Sequence, residues 1–231
     1  MTEDSTFDKI AREVSRDLAA VTPLRPPRTA ALVILPLAFL ILSVVLLVYG
    51  LRDDAAQLGF WPLWGPAGLM VLVAYVVIYF ALVQRAPEST VSWPRWVSLL
   101  VAAVAIQVGG AYLTLLSTGT PGMSVPLRTE ALCFARISLL SVPTILVVLW
   151  LLSRGLPFRP RLVGLLAGMG GGFVSEGIYR LQCGMSHPEH VLPWHTGAVL
   201  VMGALGLLAG LWWERRMLQS WVGGRAAFTA R

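Results

Sequence analysis

Six apolar stretches, each nearly free of charge, recur along this chain and leave few folds open to it. They lie near residues 30–51, 66–83, 96–116, 131–153, 162–181 and 194–213, each roughly 18–23 residues and so about 27–35 Å as helix, close to the thickness of a bilayer's hydrocarbon core. Lipid offers no partner to an unpaired amide, so a spanning segment must satisfy its backbone internally. Closed β-barrels also meet that condition, but these runs lack period-two alternation and are about twice as long as a barrel strand requires. The chain is therefore expected to be an all-α, polytopic membrane bundle of six transmembrane helices. A composition of 56% hydrophobic and 13% charged residues excludes an ordinary soluble domain.

The connecting segments predict an orientation. Of the 18 basic residues, 14 fall in residues 1–29, the 84–95 and 154–161 loops and the tail from Arg215, whereas the other three loops carry only Arg52, Arg128 and Arg180. The positive-inside rule then places both termini in the cytoplasm, and the net charge of +6 reads as a topology signal rather than as a nucleic-acid footprint. Residues 1–29 form a cytoplasmic segment, 30–214 the transmembrane domain and 215–231 a basic cytoplasmic tail. The first thirty residues are too rich in charge to read as a cleavable signal peptide.

Within residues 1–29, Phe7, Ile10, Val14, Leu18 and Val21 share about 80° of arc on a helical wheel, with charged residues on the other faces. Ser5 and Asp8 match a capping box, and Pro23, Pro26 and Pro27 end the helix before the membrane. Five acids against three bases in residues 1–22 disfavour adhesion to anionic lipid, so this stripe is read as a docking face for a cytosolic protein.

The stretch YRLQCGMSHPEHVLPWHTG (179–197) holds all three histidines and one of the two cysteines. On the expected topology it faces away from the cytoplasm, and Cys133, at the start of the antiparallel fourth helix, lies level with Cys183. Three chemistries suit such a pair. A disulfide could staple the loop in an oxidising compartment. A reactive pair could signal through its oxidation state, with Arg136 and Arg180 favouring thiolate. A soft metal ion (zinc, copper or cadmium) could be captured by Cys133, Cys183, His187 and His190, although no cofactor is required. His195, beside Trp194, is expected to be an interfacial residue satisfied by water. Glu176, Arg180 and Arg136 form an intramembrane polar cluster, with Glu176 expected to pair with Arg180 on its own helix and with Arg136 across the gap. Gly164, Gly168 and Gly172 at four-residue spacing, facing Gly206 and Gly210, predict close approach of the fifth and sixth helices.

Intramembrane charges also suit a small multi-pass transporter, or a metal- or redox-binding membrane protein without a cytosolic partner. No inverted repeat, nucleophile–base pair or His-Glu-x-x-His motif is present, so no enzymatic activity is expected.

The segments TPLRPPRTAAL (22–32), ALCFARISLLSVPTILVVLWLLSRGLPFRPRLVGLLAG (131–168) and YRLQCGMSHPEHVLPWHTG, in this order around six spans, resemble the NrsF-type negative regulators of extracytoplasmic-function sigma factors in proteobacteria. The resemblance covers essentially the whole chain and is strongest from Cys133 to Gly210, through Pro143, the turn of Arg154, Gly155 and Pro157, and Tyr179. Gly184 departs from it, since proline commonly follows the second cysteine. The resemblance implies an inner-membrane anti-sigma factor that holds its sigma factor through the helix from Phe7 to Val21. It also implies release in a stress response to heavy metal or oxidant, with Cys133 and Cys183 as sensor thiols and no direct contact with nucleic acid.

Overall fold

The computed structural model describes residues 8–9, 11–13, 15, 25–85, 92–118, 127–155, 159–185 and 187–229. Phe7, Ile10, Val14, Leu18 and Val21 all lie outside them. The described residues form helices and connecting turns, with no strand among them. A short helical turn, Pro27–Ala31, leads into α1 (Ile34–Tyr49), and a second, Ala55–Leu58, leads into α2 (Phe60–Val83). Then follow α3 (Trp93–Thr118), α4 (Leu127–Ser153) and α5 (Pro160–Tyr179). The last crossing starts at Pro188–His190, passes through a π-helical turn, Val191–Thr196, and continues as α6 (Gly197–Thr229). Six helices are thus long and apolar enough to cross a membrane, as expected. One boundary differs. Pro66 reads in sequence as a helix start, yet α2 begins at Phe60, after Gly59 with φ 72°, and Pro66 sits inside it. The helix therefore gives up one backbone hydrogen bond near its start rather than beginning there.

The least hydropathic of the six spans is the most buried. Within its span α5 is 89% buried, against 22–50% for the others, so α5 is the axis around which α6, α2 and α4 pack. Its glycines explain both properties, because glycine lowers hydropathy and removes the side chain that would hold a neighbouring backbone away. A Cβ at Gly164 or Gly168 would collide with the carbonyls of Gly206 or Met202 on α6, and one at Gly206 or Gly210 with the carbonyls of Gly164 or Pro160 on α5. The spacing read from sequence is therefore a backbone contact. Three further glycines serve other neighbours. Gly177 meets the Ala67 carbonyl on α2 at 2.8 Å from a notional Cβ, Gly170 meets Ile78, and Gly171 meets Ile145 of α4.

At the end of the bundle where α2 and α4 finish, Arg85 is buried and donates to three carbonyls. Its Nε bonds Leu82 O at 3.2 Å, Nη1 bonds Leu151 O at 3.2 Å, and Nη2 bonds Arg25 O at 3.0 Å. One guanidinium thus ties the ends of α2 and α4 to the chain entering the first crossing. Gly155 leaves room for it, since a Cβ there would lie 3.0 Å from the Arg85 side chain. Burial holds the Arg85 pKa below its ordinary value.

Overpacking of a close-packed interface costs about 1–3 kcal/mol, and more where backbone cannot yield. Gly168→Leu and Gly206→Leu should each abolish accumulation of monodisperse protein in membranes, as read by fluorescence-detected size exclusion. Gly184→Ala, whose Cβ would meet nothing within 4 Å, should accumulate normally.

Candidate thiol and metal site

Cys133 lies near the start of α4 and Cys183 in the turn that closes α5, and their Sγ atoms are 3.8 Å apart. Both thiols are free and buried. The antiparallel α4–α5 packing that the sequence predicts brings them to one depth. Three hydrogen bonds fix the Cys183 turn. Cys183 N donates to Tyr179 O at 2.9 Å, and Arg52 grips the same segment from the α1–α2 connection through N to Leu181 O (3.0 Å) and Nη2 to Gly184 O (3.1 Å). Arg52 is itself held by Asp54, whose carboxyl the guanidinium keeps below the usual carboxylate range. Hydrogen bonding to Cys133, together with burial, pushes the Cys183 thiol up.

Two imidazoles complete a cluster. Ligand-type atoms of Cys133, Cys183, His190 and His195 all lie within 4.8 Å of one another. His190 Nε2 is 3.6 Å from Cys183 Sγ, and its Nδ1 is 3.7 Å from Glu130 Oε1. His195 Nδ1 is 3.6 Å from Glu176 Oε1. The histidine set differs from the one expected. His187 stands outside the cluster, where its carbonyl accepts from the amides of His190 and Val191. His195 is not a water-satisfied interfacial residue, being only 1% exposed. The cause is the π-helical turn. Residues five apart point about 140° from one another on an α-helix, whereas i→i+5 winding returns them to one face. His190 and His195 therefore sit together, with ring centroids 5.1 Å apart.

Below the cluster runs a polar network inside the bundle. Glu176 is fully buried, and its Oε1 accepts from Arg180 Nε at 2.7 Å and from Gln107 Nε2 at 3.2 Å. Arg180 Nη2 donates to the Gln107 carbonyl of α3 at 3.3 Å. The expected pairing of Glu176 with Arg180 is present, but that with Arg136 is not found among the described residues. Arg136 instead donates to the Tyr179 hydroxyl at 3.0 Å and lies 4.6 Å from the centroid of the Tyr49 ring, so Tyr179 stands between the two charges. Sequence reasoning missed Glu130, Gln107 and Arg52. Glu130, three residues before Cys133 on the first turn of α4, carried the one available signal of shared position.

Comparison with known proteins bears on this arrangement. Residues 14–215 match the family model NrsF, described as negative regulator of sigma F. The chain belongs to the NrsF family. It is 30% identical to the anti-sigma-F factor NrsF of Caulobacter vibrioides, with 92% of this chain and 98% of that protein aligned. A shorter match, 35% identical over 34% of this chain and 37% of the relative, is to the probable anti-sigma-F factor NrsF of Azospira oryzae. No solved structure matches.

Removing one partner of a buried ion pair costs about 3–5 kcal/mol, because the other charge stays in the low-dielectric interior. In this NrsF-family chain Glu176→Gln should therefore lower the thermal midpoint in detergent by several degrees or prevent folding, and Glu176→Gln with Arg180→Gln should recover part of the loss. Equal midpoints for the wild type and the single variant would contradict the pairing.

Proposed function

We propose that this protein is an inner-membrane anti-sigma factor. It sequesters an extracytoplasmic-function sigma factor through its amino-terminal cytoplasmic helix and releases it when the Cys133–Cys183 pair, on the periplasmic side, is oxidised or captures a soft metal. The observation that carries the anti-sigma role is the near full-length relationship to a protein named as an anti-sigma-F factor. The family is regulatory, not enzymatic. The arginine bias supports cytoplasmic termini and the division into residues 1–29, 30–214 and 215–231.

At rest, the stripe of Phe7, Ile10, Val14, Leu18 and Val21 occupies a groove on the sigma factor and keeps it from RNA polymerase. Two features support control from the opposite face. The thiols join α4 to the end of α5, so a change of bonding between the sulfurs shifts one helix against the other. Arg85 joins the far end of α4 to Arg25, which follows the partner-binding segment in the chain. Movement of α4 therefore reaches the amino-terminal chain through a buried guanidinium bonded to carbonyls of both. Coupling of this kind requires two discrete packings of the bundle that the thiol state favours unequally. The transporter reading gains less support, because Glu176 pairs with Arg180 and accepts from Gln107 inside the bundle instead of lining an open path.

Deleting residues 1–22 should leave the protein in the membrane and abolish co-purification of the sigma factor, whereas a transporter would keep its flux. Arg85→Gln, which keeps at most two of the three carbonyl contacts, should retain insertion and reduce the co-purified sigma factor several-fold in the absence of any inducer. Undiminished retention by both variants would overturn the proposed route.

A further inference from the structure

The thiol cluster is more completely built than a redox pair requires. A redox pair needs two sulfurs and access to an oxidant, yet here two buried imidazoles converge on them, each with a carboxylate near its Nδ1. Both Nδ1 and Nε2 of His195 are buried and without a hydrogen-bond partner among the described residues. An imidazole that gives up water for nothing is costly unless a ligand takes the lone pair.

The spacing identifies that ligand. A tetrahedral ion with metal–sulfur bonds of about 2.3 Å holds its two sulfurs about 3.8 Å apart, and with a metal–nitrogen bond of about 2.05 Å its sulfur–nitrogen edge is about 3.6 Å. The Cys133–Cys183 sulfurs are 3.8 Å apart, and Cys183 Sγ lies 3.6 Å from His190 Nε2. Two edges of the tetrahedron are thus already present, and His195 supplies the fourth corner from within 4.8 Å of the other three. The carboxylates match the outer shell that such sites carry, in which a ligating histidine donates its remaining N–H to an acid that fixes its tautomer. Glu130 stands in that position at His190, and Glu176 at His195.

We propose that Cys133, Cys183, His190 and His195 form a tetrahedral site for a divalent ion of the zinc class, zinc or cadmium, with Glu130 and Glu176 as orienting carboxylates and His187 taking no part. On binding, each thiol loses its proton to solvent and each imidazole gives its Nε2 lone pair. Two sulfur–metal and two nitrogen–metal bonds form and two protons leave, with no change of oxidation state. The dication and two thiolates cancel, so the loaded centre adds no net charge to the membrane interior. A tetrahedral two-sulfur, two-nitrogen set selects zinc-class ions over metals that demand square-planar or octahedral geometry. Occupancy also draws the His195 ring and its Nδ1–H toward a fixed position on Glu176, the acid that holds Arg180 and Gln107. The site thereby addresses α3, α4, α5 and α6 together. This deepens the sensor reading above and rests on it.

The test uses the full-length protein, purified reduced in detergent micelles and titrated with cobalt(II) chloride as a spectroscopic probe, then loaded with zinc for X-ray absorption. Expected are one equivalent bound, intense visible bands of tetrahedral cobalt, two protons released per ion, and a zinc shell of two sulfur and two nitrogen scatterers, a measurement that needs no variant. His187→Ala should leave the cobalt spectrum unchanged, His195→Ala should abolish the tetrahedral bands, and Glu130→Gln should weaken binding by about 10–100-fold. A shell lacking either sulfur, or loss of the bands in His187→Ala but not in His195→Ala, would overturn the assignment. The two readings can fail separately. Correct loading without any change in sigma-factor retention when cadmium is added to cells would sink the sensor and spare the site. No loading, with release by an oxidant intact, would sink the site and spare the sensor.

Discussion

The backbone contact between α5 and α6 sets the position of everything else in this molecule. Lipid tails are as apolar as leucine, so membrane helices gain little from burying hydrocarbon against one another and associate through close packing. Glycines at 164, 168, 206 and 210 let two backbones touch, with no room for a single Cβ between them. That contact fixes the depth at which the π-helical turn before α6 meets the end of α5. It thereby determines that His195 stands over Glu176 and that His190 reaches Cys183. Gly170, Gly171 and Gly177 admit side chains of α2 and α4 and one α2 carbonyl, which is why the helix with the lowest hydropathy became the core.

A bundle packed this way can hold charge. Glu176 and Arg180 are expensive to bury singly, but one turn of helix aligns them, and Gln107 offers both a side-chain amide and a carbonyl to the pair. Replacing such a group with apolar residues of similar volume is often neutral or stabilising, so its presence points to a role beyond stability. Here its surroundings are informative: one oxygen of Glu176 faces a histidine of the thiol cluster, and Arg180 reaches the otherwise loosely packed α3. Arg85 does the corresponding work at the opposite end without any acid, using three carbonyls left over by helix ends.

Much of this was legible in the amino-acid sequence, and the rest has identifiable reasons for being hidden. The six crossings stand out because charge is excluded from long runs, and Cys133 lies beside Cys183 because antiparallel neighbours of bilayer length must bring their ends level. The glycine spacing announced the α5–α6 contact, but not which neighbours would use Gly170, Gly171 and Gly177, since a helix glycine-rich on every face has no preferred side. His195 was misjudged because α-helical periodicity separates it from His190, and a local change to i→i+5 winding leaves no compositional mark. Arg136 missed Glu176 because the Tyr179 hydroxyl, one turn further along α5, accepts its hydrogen bond instead. The amphipathic stripe before the membrane was read from periodicity alone, and lies outside the described residues.

The claim on which this account turns is that the state of two sulfurs on one face of the membrane governs the hold on a sigma factor at the other. A photo-crosslinking residue placed at position 14, within the proposed docking stripe, would report that hold in living cells. Capture of the sigma factor should fall sharply after cadmium is added to wild-type cells and stay constant in cells carrying Cys183→Ser. Undiminished capture in the wild type, at a cadmium level shown to occupy the thiols, would contradict it.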